Sequence, residues 1–389
     1  MGYYEVPFDI IDVILNDLTY QSDWESIRSF SRTCKNLVEP CQKWLFNTVA
    51  IHRTTISQLD SILTKHPNIG SYVLHLHYYT DGEYDVRIHI LLLQKFSQLR
   101  SFHITGDGTN RDTVWNIMPE GLRVQLIRLI SSPVLEALSL THLHSWPVSL
   151  FAHCCALCQL QIGALGLDDT NLTTFTLPPF PPACQLQRLS IGPLAFHVVD
   201  NLISAKWPDG SSVVDLSLIT VLHDHSIHAP IQKLVEICGP QIETFYFACM
   251  PISHFYQPSP NKALDLDRFW TLTELNEFKA LRVIIGNVHL HDFWQPLKCC
   301  VSIEEIYLMI RPASAKPIKI EHVIPWLNPS IFPALRSFIT FQEYGVNSET
   351  MLQLPFVSGP AIFKTRTVKN MEEFWALVSS VTGLSNFDC

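Results

Sequence analysis

The 389-residue chain is 47% hydrophobic and only 16% charged, a balance that can fill a continuous core and excludes an intrinsically disordered chain. Its formal charge of −9, with 27 Lys and Arg set thinly along the sequence, supplies no basic stripe for nucleic acid or for an anionic membrane surface. No uninterrupted apolar run reaches the roughly 18 residues of a membrane-spanning helix. Glu5 and Asp9 interrupt the region where an apolar leader would lie, and the eleven cysteines are scattered and odd in number, as free thiols in a reducing compartment are. A cytoplasmic or nuclear protein is expected.

From the N-terminus, Pro7 suits the first turn of a helix, where a missing N–H costs nothing, and Asp9 favours the positive end of its dipole. Ile10, Ile11, Ile14, Leu15 and Leu18 then form a broad apolar stripe. Ser22 or Asp23 can cap a second helix carrying Trp24, Ile27, Phe30 and Cys34, and a third helix is expected over Asn36 to Phe46, presenting Leu37, Val38, Cys41 and Leu45. So short a module cannot hide this many large apolar groups within itself, because small domains bury too little of their surface. Part of it needs a partner.

These residues carry a resemblance. Pro7 with Ile10-Ile11 and Ile14-Leu15, then Leu18, the step from Asp23 to Ile27, Ser31-Arg32-Thr33-Cys34-Lys35 and Trp44-Leu45-Phe46 are similar to the F-box as fungal F-box proteins carry it. The match covers residues 5–48 and departs from the usual pattern at Val6, where Leu is common, and at Asn36-Leu37, where many members have Trp. The resemblance implies docking onto a Skp-type adaptor, and through it onto the cullin scaffold of a ubiquitin ligase. It would use Pro7, Ile10, Ile11, Ile14, Leu15, Leu18, Ile27 and Leu37. The plainer alternative is a helical cap on whatever follows.

Over 49–389 an L-x-x-L-x-L template recurs, at Leu99-Phe102-Ile104, Leu135-Leu138-Leu140, Leu157-Leu160-Ile162, Leu186-Leu189-Ile191, Val213-Leu216-Leu218, Ile242-Phe245-Phe247, Leu281-Ile284, Ile303-Ile306-Leu308 and Leu335-Phe338. It is faint over 49–98, where Ile69-Tyr72-Leu74 is the best match. The steps vary between 22 and 39 residues, around or above the roughly 20–29 of leucine-rich repeats. Helices are expected between the cores, at Ser57–Lys65, Gly121–Ile130, Phe196–Ser204, Ile231–Cys238, Asp267–Lys279 and His291–Cys299. Strand followed by helix, repeated in one direction, winds a curved parallel sheet under a shell of helices. The expected fold class is therefore α/β: three N-terminal helices, then an irregular leucine-rich solenoid. The loops GDGTNRD and PISHFYQPSPNKA read as insertions between repeats. Near the end, Asn370 can cap a helix that Gly383 closes, and Leu384 to Cys389 reads as another strand core, either a terminal edge or the start of a further repeat.

No phosphate loop, nucleophile elbow or H-E-x-x-H is present, so no enzyme activity, metal or cofactor is expected. Cys155-x-x-Cys158 has metal or redox spacing but lacks a second ligand pair nearby. His223, Asp224, His225 and His228 crowd one short loop, which would serve a metal-dependent hydrolase only with partners the sequence does not supply. What the repeats can do is bind. Residues between template positions face away from the core. They are small and polar in the early repeats and become Tyr246, Ile285, Tyr307, Met309 and Phe341 later, a set suited to a protein substrate. The expected function is substrate recognition within a Skp–cullin–F-box ligase, with a binding scaffold outside any ligase as the alternative.

Overall fold

The computed structural model describes residues 7–21, 23–80, 86–106, 113–154, 156–163, 186–191, 214–223, 244–249, 282–286, 303–310, 334–335, 337–343 and 362–368. Of the expected elements, the helices at 196–204, 231–238, 267–279, 291–299 and 370–383, and the segment 384–389, lie outside them. The chain forms two compact units, Met1–Leu186 with Ala205–Val213, and Gln187–Ser204 with Val214–Cys389.

The first unit opens with three mutually packed helices, α1 (Phe8–Tyr20), α2 (Trp24–Ser31) and α3 (Lys35–Leu45). Pro7 closes the start of α1 with its carbonyl, which accepts from the amides of Ile10 and Ile11. Asp23 caps α2, its carboxylate accepting from the Ser26 amide at 3.0 Å, and hydrogen bonding from Ser26, its side chain first and then its amide, holds the Asp23 carboxyl below its usual pKa.

After α3 the chain passes directly into a parallel sheet. Its strands are β1 (Thr48–Ile51), β2 (His75–Thr80), β3 (Ser101–Gly106), β5 (Ala137–Thr141) and β7 (Gln159–Gly163), paired in chain order. Two short strands, β4 (Thr113–Val114) and β6 (Leu143–His144), pair separately. The connections contain α4 (Ile56–Lys65), α5 (Val86–Leu93), α6 (Glu120–Ile130) and a 3-10 turn at Val148–His153. Successive parallel strands require such crossovers, and their apolar stripes cover one face of the sheet. Ile56, Leu59 and Leu63 of α4, Leu92 and Leu93 of α5, and Leu122, Leu126, Leu129 and Ile130 of α6 are buried.

A repeated backbone feature fixes where each repeat begins. The carbonyl of Asn47 accepts from the amides of Leu74 and His75, and that of Leu74 from Arg100 and Ser101. The carbonyl of Arg100 accepts from Glu136 and Ala137, and that of Glu136 from Cys158 and Gln159. Each acceptor follows the first template residue, so the early repeats start at Phe46, Val73, Leu99, Leu135 and Leu157. The template side chains Leu99, Phe102, Ile104, Leu135, Leu138, Leu140, Leu157, Leu160, Ile162, Leu186, Leu189 and Ile191 are all buried, as the pattern predicts. The early copy expected at Ile69-Tyr72-Leu74 is displaced. Ile69 belongs to the 3-10 turn Pro67–Ser71, and the strand core is Val73-Leu76-Tyr78, all three fully buried.

The long step between Leu99 and Leu135 is an insertion with its own packing: β4 reaches β6, and Trp115 meets Trp146 edge-on at 4.6 Å between ring centroids. Polar ties join neighbouring repeats. Lys95 reaches back to Asp60 at 2.8 Å and to Thr64 at 2.9 Å, and Arg128 donates to the carbonyl of Leu93 at 2.7 Å. Gly70 lies so close to the chain after α5 that a Cβ there would sit 2.5 Å from the Lys95 carbonyl oxygen. Because that obstacle is backbone, Gly70→Ala is expected to cost about 1–3 kcal/mol, measured as loss of amide protection in residues 67–71 and 94–96 under hydrogen exchange.

The second unit holds β8 (Leu186–Ile191, whose first residue closes the first unit), β9 (Val214–His223), β10 (Thr244–Cys249), β11 (Arg282–Gly286), β12 (Glu305–Ile310), β13 (Ser337–Glu343) and β14 (Ile362–Val368). From β9 to β14 each strand pairs with the next in parallel. Both units are thus α/β or strand-repeat structures with parallel sheets laid down in sequence order.

Candidate docking surfaces

Two surfaces follow from this arrangement, one on the helical module and one on the sheet. Along α1 each residue advances by about 100°, which places Ile11, Leu15 and Leu18 on one stripe and Ile10, Val13 and Ile14 beside it. The structure separates the two sets. Ile11 and Leu15 join Ile27 and Cys41 in a closed core, with Leu18, Phe30, Leu37, Trp44 and Leu45 packed around it. Burial pushes the Cys41 thiol pKa up, as expected for a thiol among aliphatic groups.

The other set faces outward. Ile10 is 49%, Val13 68% and Ile14 40% exposed, and Trp24 and Val38 are exposed elsewhere on the module. Of the expected docking residues, Pro7, Ile10 and Ile14 are therefore exposed. Leu18 and Leu37 are half-buried against the core. Ile11, Leu15 and Ile27 are enclosed, and can act on a partner only by holding the helices in position. Val13, absent from the expected docking set, stands about one turn from Ile10 on the same outward stripe, which apolar spacing alone does not separate from the core stripe.

On the sheet, the face opposite the helices is read from register. In β2 and β3 it carries His75, His77, Tyr79, Ser101, His103 and Thr105, with His75 opposite Ser101, His77 opposite His103 and Tyr79 opposite Thr105. The His77 and His103 rings stack at 4.3 Å, nearly parallel, and His52, just past β1, stacks on Tyr79 at 3.9 Å. Ser101 Oγ lies 3.0 Å from His103 Nε2. Burial, with the charges of His77 and His75 adding, lowers the His103 pKa to about 4. His75 is lowered too, chiefly by burial and then by His77 and Arg100, with Glu136 opposing.

For the later strands the register sorts the expected substrate-binding set. Tyr246, Ile284, Tyr307 and Ile339 lie in one row across β10 to β13, and Met309 pairs with Phe341 two residues further along the same face. Ile285 does not join them. It stands in register with Phe247 and Leu308, on the opposite face, because β11 runs Arg282–Gly286 with Val283 and Ile285, not Ile284, in the template rows. The side chains of all five lie outside the described residues.

The cysteine and histidine clusters yield little. Cys154 is buried, Cys158 directs its thiol to the Glu136 carbonyl at 3.3 Å, and Cys155 lies outside the described residues, as do 224–228 of the histidine-rich loop. Among the described residues no group of three or more His, Cys, Asp or Glu is placed to hold a metal ion, and no helix is long and apolar enough to cross a membrane.

No protein-family model matches the chain, and no curated protein does. Among solved structures, the crystal structure of the Rad7 and Elc1 complex in yeast is similar at 10% identity, covering 93% of this chain and 98% of that one, with a TM-score of 0.36.

Proposed function

We propose that the chain is a non-catalytic substrate receptor of a Skp–cullin–F-box ubiquitin ligase. In this reading the helical module 5–48 is an F-box that docks on a Skp-type adaptor, and the repeats of 49–389 form a leucine-rich solenoid that holds a protein substrate. The carrying observation is the exposed row Ile10, Val13 and Ile14 above an already closed core of Ile11, Leu15, Ile27 and Cys41. A helical cap has no use for such a row once its core is complete, whereas a docking helix does. Burying each of these side chains is worth roughly 1.5–3 kcal/mol at full transfer, a gross gain from which ordering and association costs are then taken.

Geometry supports the same division of labour. Helix α3 ends at Leu45 and the first repeat starts at Phe46, so no linker separates module and sheet. The Lys43 ammonium stands 5.8 Å over the Tyr72 ring, a cation–π contact between α3 and the end of the first repeat. A protein captured on the first unit's sheet would thus be held close to the docking helices, and its local concentration near the transfer machinery raised. No residue of this chain need touch a reacting bond.

Co-expression of the full chain with a Skp-type adaptor and a cullin tests the reading. A stable complex containing all three is expected. An adaptor complex that excludes the cullin would move the assignment to a scaffold outside the ligase, and failure to bind the adaptor would end it.

A further inference from the structure

The sheet face formed by β1 to β3 has a composition unlike the rest of the chain. The chain carries 36 Asp and Glu against 27 Lys and Arg. Yet no position that β1, β2, β3, β5 and β7 present on the face opposite the helices is Asp or Glu. Instead it holds His75, His77 and His103, with His52 just past β1; His77 stacks on His103 and His52 on Tyr79. β5 and β7 add no titratable side chain to it. Arg100 and Glu136 stand at the strand starts and pair with each other at 3.6 Å. A core function does not explain the rings: the template residues on the other face already fill the core, and these imidazoles are half-buried rather than enclosed.

We propose that the β1–β3 face binds an acidic peptide segment of a partner protein and takes up protons as it does so, through His75, His77 and His103. The site differs from the later-strand surface expected to hold substrate and does not depend on the adaptor reading. Imidazole can donate from both nitrogens once protonated, and the face offers a carboxylate-bearing chain no carboxylate to repel it. In the free protein burial, with the charges of neighbouring imidazoles adding, disfavours the charged forms of His75 and His103. Two facing imidazoles also cannot both become cations without repulsion. A bound carboxylate reverses both effects, so complex formation raises the imidazole pKa values and draws in protons. Nucleic acid fits less well, because phosphate backbones are held by permanent cations, and here the neighbouring Arg100 is already engaged by Glu136.

Sign and window follow from linkage. Each imidazole has a higher pKa in the complex than in the free protein, so affinity rises as pH falls through the bound pKa and levels off below the free one. For His103 that lower limit is about 4.

The test is fluorescence anisotropy of a short labelled Glu-rich peptide with the full chain at about pH 7.5 and about pH 5.5, where Glu remains mostly ionised. Binding is expected to tighten at least about ten-fold, the effect of one proton over one unit of full linkage. The H75N/H77N/H103N variant, with the same overall fold by circular dichroism, should lose that pH dependence while keeping any general gain from the falling negative charge of the chain. Single variants H77N and H103Q provide the readout if the triple variant fails to fold, each reducing the pH slope. Binding that is absent at both pH values, a slope unchanged in the variants, or an oligonucleotide of equal charge binding as tightly as the peptide would each overturn the proposal.

Discussion

Replacing Phe102 with Ala is expected to destabilise the first unit by about 3–5 kcal/mol, one of the largest effects any single change in it can have. Phe102 is fully buried near the start of β3, in register with Leu76 of β2 and Leu138 of β5, themselves buried. Removing the ring opens a void shared by three strands. Their hydrogen-bonded spacing of about 4.8 Å prevents the sheet from closing over it, so most of the lost packing stays lost. Since each repeat is stabilised mainly by its neighbours, the damage extends to the adjoining strands. With two units in the chain a single melting temperature is a poor measure. Hydrogen exchange at the amides of β2, β3 and β5 reads the effect directly. Thr48→Ala, at an exposed position of β1, should change protection by about 0.5 kcal/mol or less. Equal losses in the two variants would mean that the template row does not carry the stability assigned to it.

That row is also where sequence and structure agree most closely. From Leu99 to Ile191 every template residue is inside, and the helices expected at Ser57–Lys65 and Gly121–Ile130 are found as Ile56–Lys65 and Glu120–Ile130. Leucine at fixed spacing announces itself. Where the same positions are filled by other residues the pattern fades: Phe46-Val49-Ile51 and Val73-Leu76-Tyr78 do the same work as the leucine repeats, but Ile69-Tyr72-Leu74 is an equally good match four residues too early. Helix α5 escaped notice because VRIHILLL is apolar on nearly every side and shows no helical period. In β11 both Ile284 and Ile285 satisfy an alternating pattern, and only the pairing with β10 and β12 decides between them. β14, Ile362–Val368, keeps only Phe363 and Thr365 in the template row beside Phe338 and Thr340 and carries Lys364 and Arg366 on the other face, so the apolar pattern is faint there. The histidine face follows from β2 alternating as His75-x-His77-x-Tyr79, which the displaced template at Ile69-Tyr72-Leu74 obscures, and its stacking across strands depends on register that no local spacing contains.

The helical module makes a sharper distinction testable. Leu15→Asp should remove both fold and docking. Its side chain is completely enclosed among Ile11, Ile27 and Cys41, and an unpaired carboxylate there either ionises at a cost of several kcal/mol or takes a proton and still lacks a partner. Helix content of the module falls, and adaptor capture falls with it. Ile10→Asp with Val13→Asp acts differently. Both positions look outward, at 49% and 68% exposure, so the carboxylates stay hydrated and the core beneath is untouched. Fold is retained, while each docking contact loses the roughly 1.5–3 kcal/mol of apolar burial available to it and gains a charge to desolvate. The expected result is loss of adaptor co-purification by at least about a hundred-fold, with amide protection in α1 to α3 unchanged. Should the double variant bind the adaptor as well as the parent chain does, the exposed row is not the docking surface, whatever becomes of Leu15→Asp. Loss of protection in the double variant would instead place Ile10 and Val13 within the packing of this chain. Binding and folding are separable here because α1 presents one stripe to its own core and another to the outside.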